Sequence, residues 1–438
     1  MTPVDAPLGP SALARRVLHD VGLSDRAAHA VEPPHPVPLA SRLAADALAW
    51  GSVDTVRLLA GIRSIPNPDR IAFAYRSDRL LRIDGAHPRA WSPYSGFWET
   101  RGGWIRTHGN YPHHAARLLR ALGLSDDADA DTVRRTLSAL PGDEAVSRIT
   151  AEGGLAVPVL PEDPRLDAAL RRTPILHVRR LDPTGTLSVS DDETQLRGIR
   201  VLDLTRVIAG PVATRTLALL GAAVLRIDPP QLPEPDGQHL DTGHGKRSAI
   251  LDARASGPEL EKLIRQADVV VLGYRPTSLE RLGLSPEILA ERHPGLVIAE
   301  LSAWGPDAPG RAGFDSLVQA ESGIAMVESA DGSMPGVLPA QALDHSAGYL
   351  LAAGVLALLE RRRREGGTWI VRTSLRRIAA ELLGMPRRAT ADSDQEIDVR
   401  EHLATFDVGG RTVTTVRPVL PGLDFRAPRR FGGDQPRW

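Results

Sequence analysis

Beyond residue 195 the chain alternates short apolar runs with amphipathic stretches. Residues 199–205 (IRVLDLT) form an apolar run suited to a buried strand. Residues 211–220 show helical spacing and close on Gly221, where a left-handed C-cap is expected. The series continues with strands at 223–228, 248–252, 268–274 and 296–301, separated by helices at 257–267 and 286–292. Strands alternating with helices of this length predict an α/β fold with a parallel sheet covered on both faces. A long helix over 344–365 follows, closing on the basic run 361–364 and Gly366-Gly367. Positive charge in a last turn complements the helix dipole, so that run is read as a charged cap.

The first half is less regular. It is rich in Pro and Arg, with helical patterns at 113–122 and 133–140 and an extended segment at 103–108 (GWIRTH). Residues 181–195 are polar, contain Gly and Pro, and read as a linker. The pattern divides the chain into 1–195, 196–376 and a C-terminal return segment, 377–438.

Composition narrows the chemistry. At 438 residues the chain can bury two cores, and 42% hydrophobic with 24% charged residues is ordinary for a soluble protein. A net charge of −1 argues against nucleic acid or an anionic membrane as partner. There is no cysteine, which excludes disulfides, thiolate catalysis and Cys-based metal sites. The first residues lack the apolar core of a signal peptide, and no run of about 18 apolar residues predicts a membrane span. The expectation is a cytosolic protein.

Several residues could bear chemistry. The turn 205–211 (TRVIAGP) follows a strand and opens a helix, where α/β proteins hold phosphate-bearing ligands, although it is neither GxGxxG nor a Walker A loop. Asp344, in 341–348 (QALDHSAG), opens the long helix and is on local grounds an N-cap. His345 beside it reads as a solvated histidine. His108, His113 and His114 match no metal-ligand spacing, so no metal is expected. Trp91, Trp98 and Trp104 either line an apolar pocket or pack a core, and core packing is the simpler reading.

The order of the blocks is more telling than any one of them. Residues 198–211 (GIRVLDLTRVIAGP), 219–230 (LLGAAVLRIDPP), 245–252 (GKRSAILD), 267–271 (ADVVV), Arg275-Pro276, 279–284 (LERLGL) and 313–320 (GFDSLVQA) stand in one sequence. Together they closely resemble the family III CoA-transferases, the CaiB/BaiF group that includes formyl-CoA and carnitine CoA-transferases and 2-methylacyl-CoA racemases. The resemblance runs from about Gly198 to Ser374 and implies a Rossmann-like CoA-binding sheet with a smaller α+β domain. It implies that Asp344 is a nucleophilic carboxylate that forms an acyl anhydride and then an aspartyl-CoA thioester. It also implies CoA contacts at Ile208, Ala209, Leu251, Arg254, Tyr274, Arg275 and Arg281. Arginine suits the CoA phosphates because it is permanently charged and binds bidentately.

The implied substrates are acyl-CoA and a carboxylic acid, with no permanently bound cofactor. The implied assembly is a homodimer, interlocked in the family. The chain also departs from the pattern. Pro229 stands where the family often has a basic residue, Gly273 where it has asparagine, and Phe314 where the racemases carry histidine. Proton removal beside a thioester needs a base on each face, so Phe314 argues for transfer over racemisation. About 195 residues precede the CoA-binding block, and 102–106 (GGWIR), 119–123 and 151–159 (AEGGLAVPV) are similar to the family's small domain. Residues 427–434 (APRRFGGD) are similar to the family's ending, which implies a permuted or fused arrangement. The alternatives are a racemase or isomerase and a degenerate paralogue that binds acyl-CoA without turnover.

Overall fold

The computed structural model describes residues 9–89, 91–183, 196–391 and 397–438. Its centre is a seven-stranded sheet ordered His177–Asp182, Thr368–Ser374, Val297–Ser302, Val269–Leu272, Arg200–Leu204, Ala223–Asp228 and Arg247–Ile250. Six strands are parallel, and His177–Asp182 adds antiparallel to the edge of Thr368–Ser374. The α/β reading of the hydrophobic pattern is therefore correct. Leu181 and Asp182, read as the start of a linker, are strand residues; residues 184–195 of that linker lie outside the described residues.

Period-2 alternation decides which side each strand residue buries. Val201, Val269, Val271, Val297, Ala299 and Val371 face one core, while Leu202, Leu204, Val270, Leu272, Ile298 and Ile370 face the other. The first core is closed by the helices Pro10–Asp20, Ala45–Leu59, Ala209–Leu219 and Ala342–Glu365. Every residue of Ala45–Leu59 is buried, so this helix crosses the interior without a solvent face. Ala342–Glu365 is long and apolar enough to cross a membrane but is almost wholly buried inside the fold. It lies against Ala209–Leu219 at Gly348, where a Cβ would fall 2.6 Å from the Ala209 carbonyl oxygen. Only glycine permits that approach, which fixes the start of the long helix beside the turn that opens Ala209–Leu219.

Two smaller antiparallel sheets complete the described fold. Gly96–Thr100, Gly103–Thr107 and Ala156–Pro158 pack with the helices Pro112–Ala121, Ala130–Ser138 and Gly142–Ala151 around Trp98, Ile105, Leu118, Val133 and Ile149. Leu155 and Val157 of this unit pack against Leu317 and Ala320 of the helix Asp315–Glu321. The third sheet joins Arg82–Ile83 to Arg411–Val416 and Leu403–Val408, so residues from both ends of the chain share one element.

Candidate active site

The sheet reverses its winding between Arg200–Leu204 and Val269–Leu272, which are adjacent and parallel. Ligands of open α/β sheets bind beyond the carboxyl ends of strands at such a switch point. Two segments leave the strands there, 205–210 and 273–275, tied by the Gly273 N–H donating to the Leu204 carbonyl at 3.2 Å. Gly210 lets the first turn close on itself, since a Cβ there would fall 2.3 Å from Thr205 Cβ. Val207 holds a φ of 73°. A β-branched residue in the left-handed region is a strained conformation of the kind concentrated at functional sites.

Buried polar groups hold this turn. Glu234 Oε2 accepts from the Val207 N–H at 3.1 Å and from Arg226 Nη2 at 2.6 Å. Arg226 also forks onto Asp228 at 2.7 and 2.8 Å. Beneath the turn, Asp203 accepts from the Thr205 N–H at 3.1 Å, from Thr205 Oγ1 and Thr214 Oγ1 at 2.5 Å each, and from Lys246 Nζ at 3.1 Å. Lys246 donates in addition to the Pro211 carbonyl at 2.8 Å and to Thr214 Oγ1 at 2.6 Å. Burial pushes the Lys246 ammonium down to about 8, with Asp203 opposing that shift. Asp203 and Lys246 were not singled out from the sequence, although Lys246 stands in the GKRSAILD block.

Asp344 lies in the first turn of the long helix but does not cap it. The N-cap position is Gln341, and the carboxylate that accepts from the helix start is Asp315, whose Oδ2 takes the Asp344 N–H at 3.0 Å. The N-cap reading of Asp344 is thus corrected: its side chain is left for other work, while Asp315 satisfies the helix end. Gln319 Nε2 donates to the other Asp315 oxygen. Both carboxyls are buried, Asp315 at 1% and Asp344 at 6% exposure. Burial, and then the charge of Asp315, push the Asp344 carboxyl well above the usual carboxylate range. Burial also raises Asp315, to about 6, against the pull of its hydrogen bonds and of Arg106. Two buried carboxyls that raise one another give up their protons as a pair rather than singly. His345 is buried as well, stacked on Tyr75 with ring centroids 5.1 Å apart, so the solvated reading of this residue is overturned.

The remaining positions implied by the resemblance divide into two groups. Ile208 and Ala209 begin the helix at the switch point, and Tyr274 and Arg275 leave the neighbouring strand beside them. Arg275 is exposed, and its charge reaches His114. Leu251 and Arg254 follow Arg247–Ile250, two strands away, roughly 10 Å across the sheet. Leu251 is buried in the apolar core and gives its N–H to the Asp228 carbonyl, while Arg254 is exposed. Arg281 is exposed at the end of the short helix Pro276–Glu280.

Over the switch point lies residue chemistry from the first half of the chain. Tyr111 Oη donates to Glu234 and its ring lies under Arg206, 4.3 Å from the guanidinium carbon. His108 stacks on Phe314 with centroids 3.8 Å apart and planes 11° from parallel. His113 and His114 sit together at 4.1 Å. Burial pushes His108 and His114 down to about 3, keeping both imidazoles neutral. Among the described residues no group of three or more His, Asp or Glu side chains could hold a metal ion. Trp98 is buried in the core of the small unit, Trp91 faces His108 edge-on at 6.2 Å, and Trp104 lies half-buried on the strand Gly103–Thr107.

The switch-point turn and the buried carboxyl pair both lie within a stretch that matches a family model. Residues 196–402 match the family described as CoA-transferase family III. This region belongs to that family. The chain is 33% identical over 213 residues to a probable fatty acyl-CoA transferase of Mycobacterium tuberculosis, covering 45% of this chain and 54% of that protein. It is 31% identical over 204 residues to the alpha subunit of a succinyl-CoA–L-malate CoA-transferase of Chloroflexus aurantiacus, covering 42% and 47%. A formyl-CoA:oxalate CoA-transferase of Afipia carboxidovorans is 32% identical over 186 residues, covering 39% and 44%. The crystal structure of the mycobacterial protein superposes with a TM-score of 0.40 at 34% identity, over 43% of this chain and 57% of that one. The chain thus spans about half the length of these relatives. Trp91, Arg106, His108 and Tyr111 lie outside residues 196–402.

Proposed function

We propose that this protein is a CoA-transferase that moves CoA from an acyl-CoA to a carboxylic acid, with Asp344 as nucleophile. The observation that supports this most directly is the Asp315–Asp344 pair at the N-terminus of a helix that packs on the switch-point turn. Asp315 occupies the helix end, so Asp344 is left as a carboxyl with no cap to make.

In this reading the Asp344 carboxylate attacks the thioester carbonyl, and CoA thiolate leaves to give a mixed anhydride. The thiolate then attacks the aspartyl carbonyl, releasing the donor acid and forming aspartyl-CoA. The acceptor carboxylate attacks that thioester, expelling thiolate and forming a second anhydride. Thiolate attack on the acceptor carbonyl yields the new acyl-CoA and restores Asp344. In this reading CoA lies along Ile208, Ala209, Tyr274 and Arg275, and the exposed Arg254 and Arg281 meet its phosphates. Residues 91–160 take the place of the small domain, and the working form is a cytosolic homodimer. Isotope exchange between labelled CoA and a panel of acyl-CoA donors and acids tests the activity. Exchange that survives Asp344→Ala removes the nucleophile assignment, and CoA binding without any exchange favours the degenerate paralogue.

One observation favours epimerisation as the second reading. The His108 ring on Phe314 brings an imidazole to the position where the sequence lacks one. Deuterium entry next to the thioester would support that reading, and CoA exchange without deuterium entry would dismiss it.

A further inference from the structure

Arg106, on the strand Gly103–Thr107, is 7% exposed. Its guanidinium lies between two aromatic faces, 4.7 Å from the Phe97 centroid and 5.3 Å from that of Trp91. Among the described residues it joins no carboxylate in an ion pair, and its Nε has no hydrogen-bond partner. Buried arginines elsewhere in this chain are paired: Arg226 with Asp228 and Glu234, Arg57 with Asp54, Arg377 with Glu381. A guanidinium taken out of water and left without an anion is costly unless a ligand completes it.

The surroundings point to the same ligand. The Nδ1 atoms of His108 and His114 are also buried without partners, and the charge of Arg106 reaches His108. The one carboxylate facing Arg106 is Asp315, whose oxygens are already engaged by Gln319 and the Asp344 N–H. The charge of Arg106 bears on Asp315 and not on Asp344. His108, two residues along the same strand direction, stacks on Phe314 next to Asp315, so the Arg106–His108 face borders the Asp315 side of the carboxyl pair.

We propose that Arg106, with His108 and His114 as neutral donors, binds the second carboxylate of a dicarboxylic acid substrate whose first carboxyl meets Asp344. A planar fork between aromatic faces is suited to bidentate recognition of a carboxylate. This assignment rests on the transferase reading for its reaction, but the binding itself can be measured separately.

The test is calorimetry on the intact protein with chain-matched pairs: succinate against butyrate, and glutarate against pentanoate. The expected result is binding of a dicarboxylate at least tenfold tighter than its monocarboxylate partner. Arg106→Gln is expected to abolish that preference and Arg106→Lys to restore part of it, with CoA affinity unchanged in both variants. Circular dichroism of Arg106→Lys keeps the test valid if the Gln variant misfolds. Equal binding of the two acids, or a preference retained in Arg106→Gln, overturns the proposal. Dicarboxylate preference without CoA exchange would leave the subsite standing and remove the transferase reading instead.

Discussion

Two buried polar clusters, one beneath the switch-point turn and one above it, are built on opposite principles. Below, Lys246, Asp203, Thr205 and Thr214 meet one another's hydrogen-bonding needs, and the charges cancel within 3.1 Å. Above, Arg106 and His108 are buried and His114 is half-buried, and each keeps a polar atom out of water without a partner. A closed network fixes a backbone in one shape, whereas an open one is completed by something from outside. The comparison assigns the lower cluster to holding the turn and the upper one to meeting a ligand. Asp344 is buried like both, and its carboxyl takes no part in capping the helix it opens.

The largest effect is expected at Asp344. Asp344→Asn should reduce CoA exchange by about a thousandfold or more while CoA affinity, read by calorimetry, is retained. Next comes the lower cluster. Lys246→Met leaves Asp203 buried without its cation, and the expected loss is about 3–5 kcal/mol of stability in urea denaturation. A loss near zero would show that the two clusters do not differ in kind.

A pH profile sharpens the middle ground. Burial and Asp315 raise the Asp344 carboxyl, so the ionised nucleophile is gained only as pH rises above the ordinary carboxylate range. The acid limb of kcat/KM should therefore lie above that range. Asp315→Asn removes the neighbouring charge and should move the limb down by about one pH unit. The smallest effect belongs to the upper cluster. Arg106→Met removes an unpaired buried cation, so stability without ligand should stay level or rise by about 1 kcal/mol, opposite in sign to Lys246→Met.

Much of the large sheet was legible because its signals are local. Residues 223–228 and 286–292 coincide with their elements, and the long helix starts at Ala342, two residues before the position read from the pattern. Asp344 was legible from the order of blocks rather than from its own surroundings. Its partner Asp315 stands in the GFDSLVQA block without a local signal, because the contact joins residues 29 positions apart. His345 was read as solvated because one sequence shows neither Tyr75 nor the burial of the helix start. Arg106 carries no local signal of a site and His108 suggests only a metal ligand, because they meet Phe314 and Asp315 only through docking of the small unit. The edge strand His177–Asp182 was concealed by its polar sequence, which an antiparallel edge tolerates because one side meets water.

Whether Asp344 carries the CoA chemistry is decided by trapping its activated carbonyl. The protein is incubated with an exchange-competent acyl-CoA and hydroxylamine, digested, and mapped by peptide mass spectrometry. The predicted result is conversion of Asp344 to the hydroxamate, dependent on acyl-CoA, with Asp315 unmodified. Exchange proceeding at full rate with Asp344 unmodified, or hydroxamate forming at Asp315 instead, would contradict the assignment.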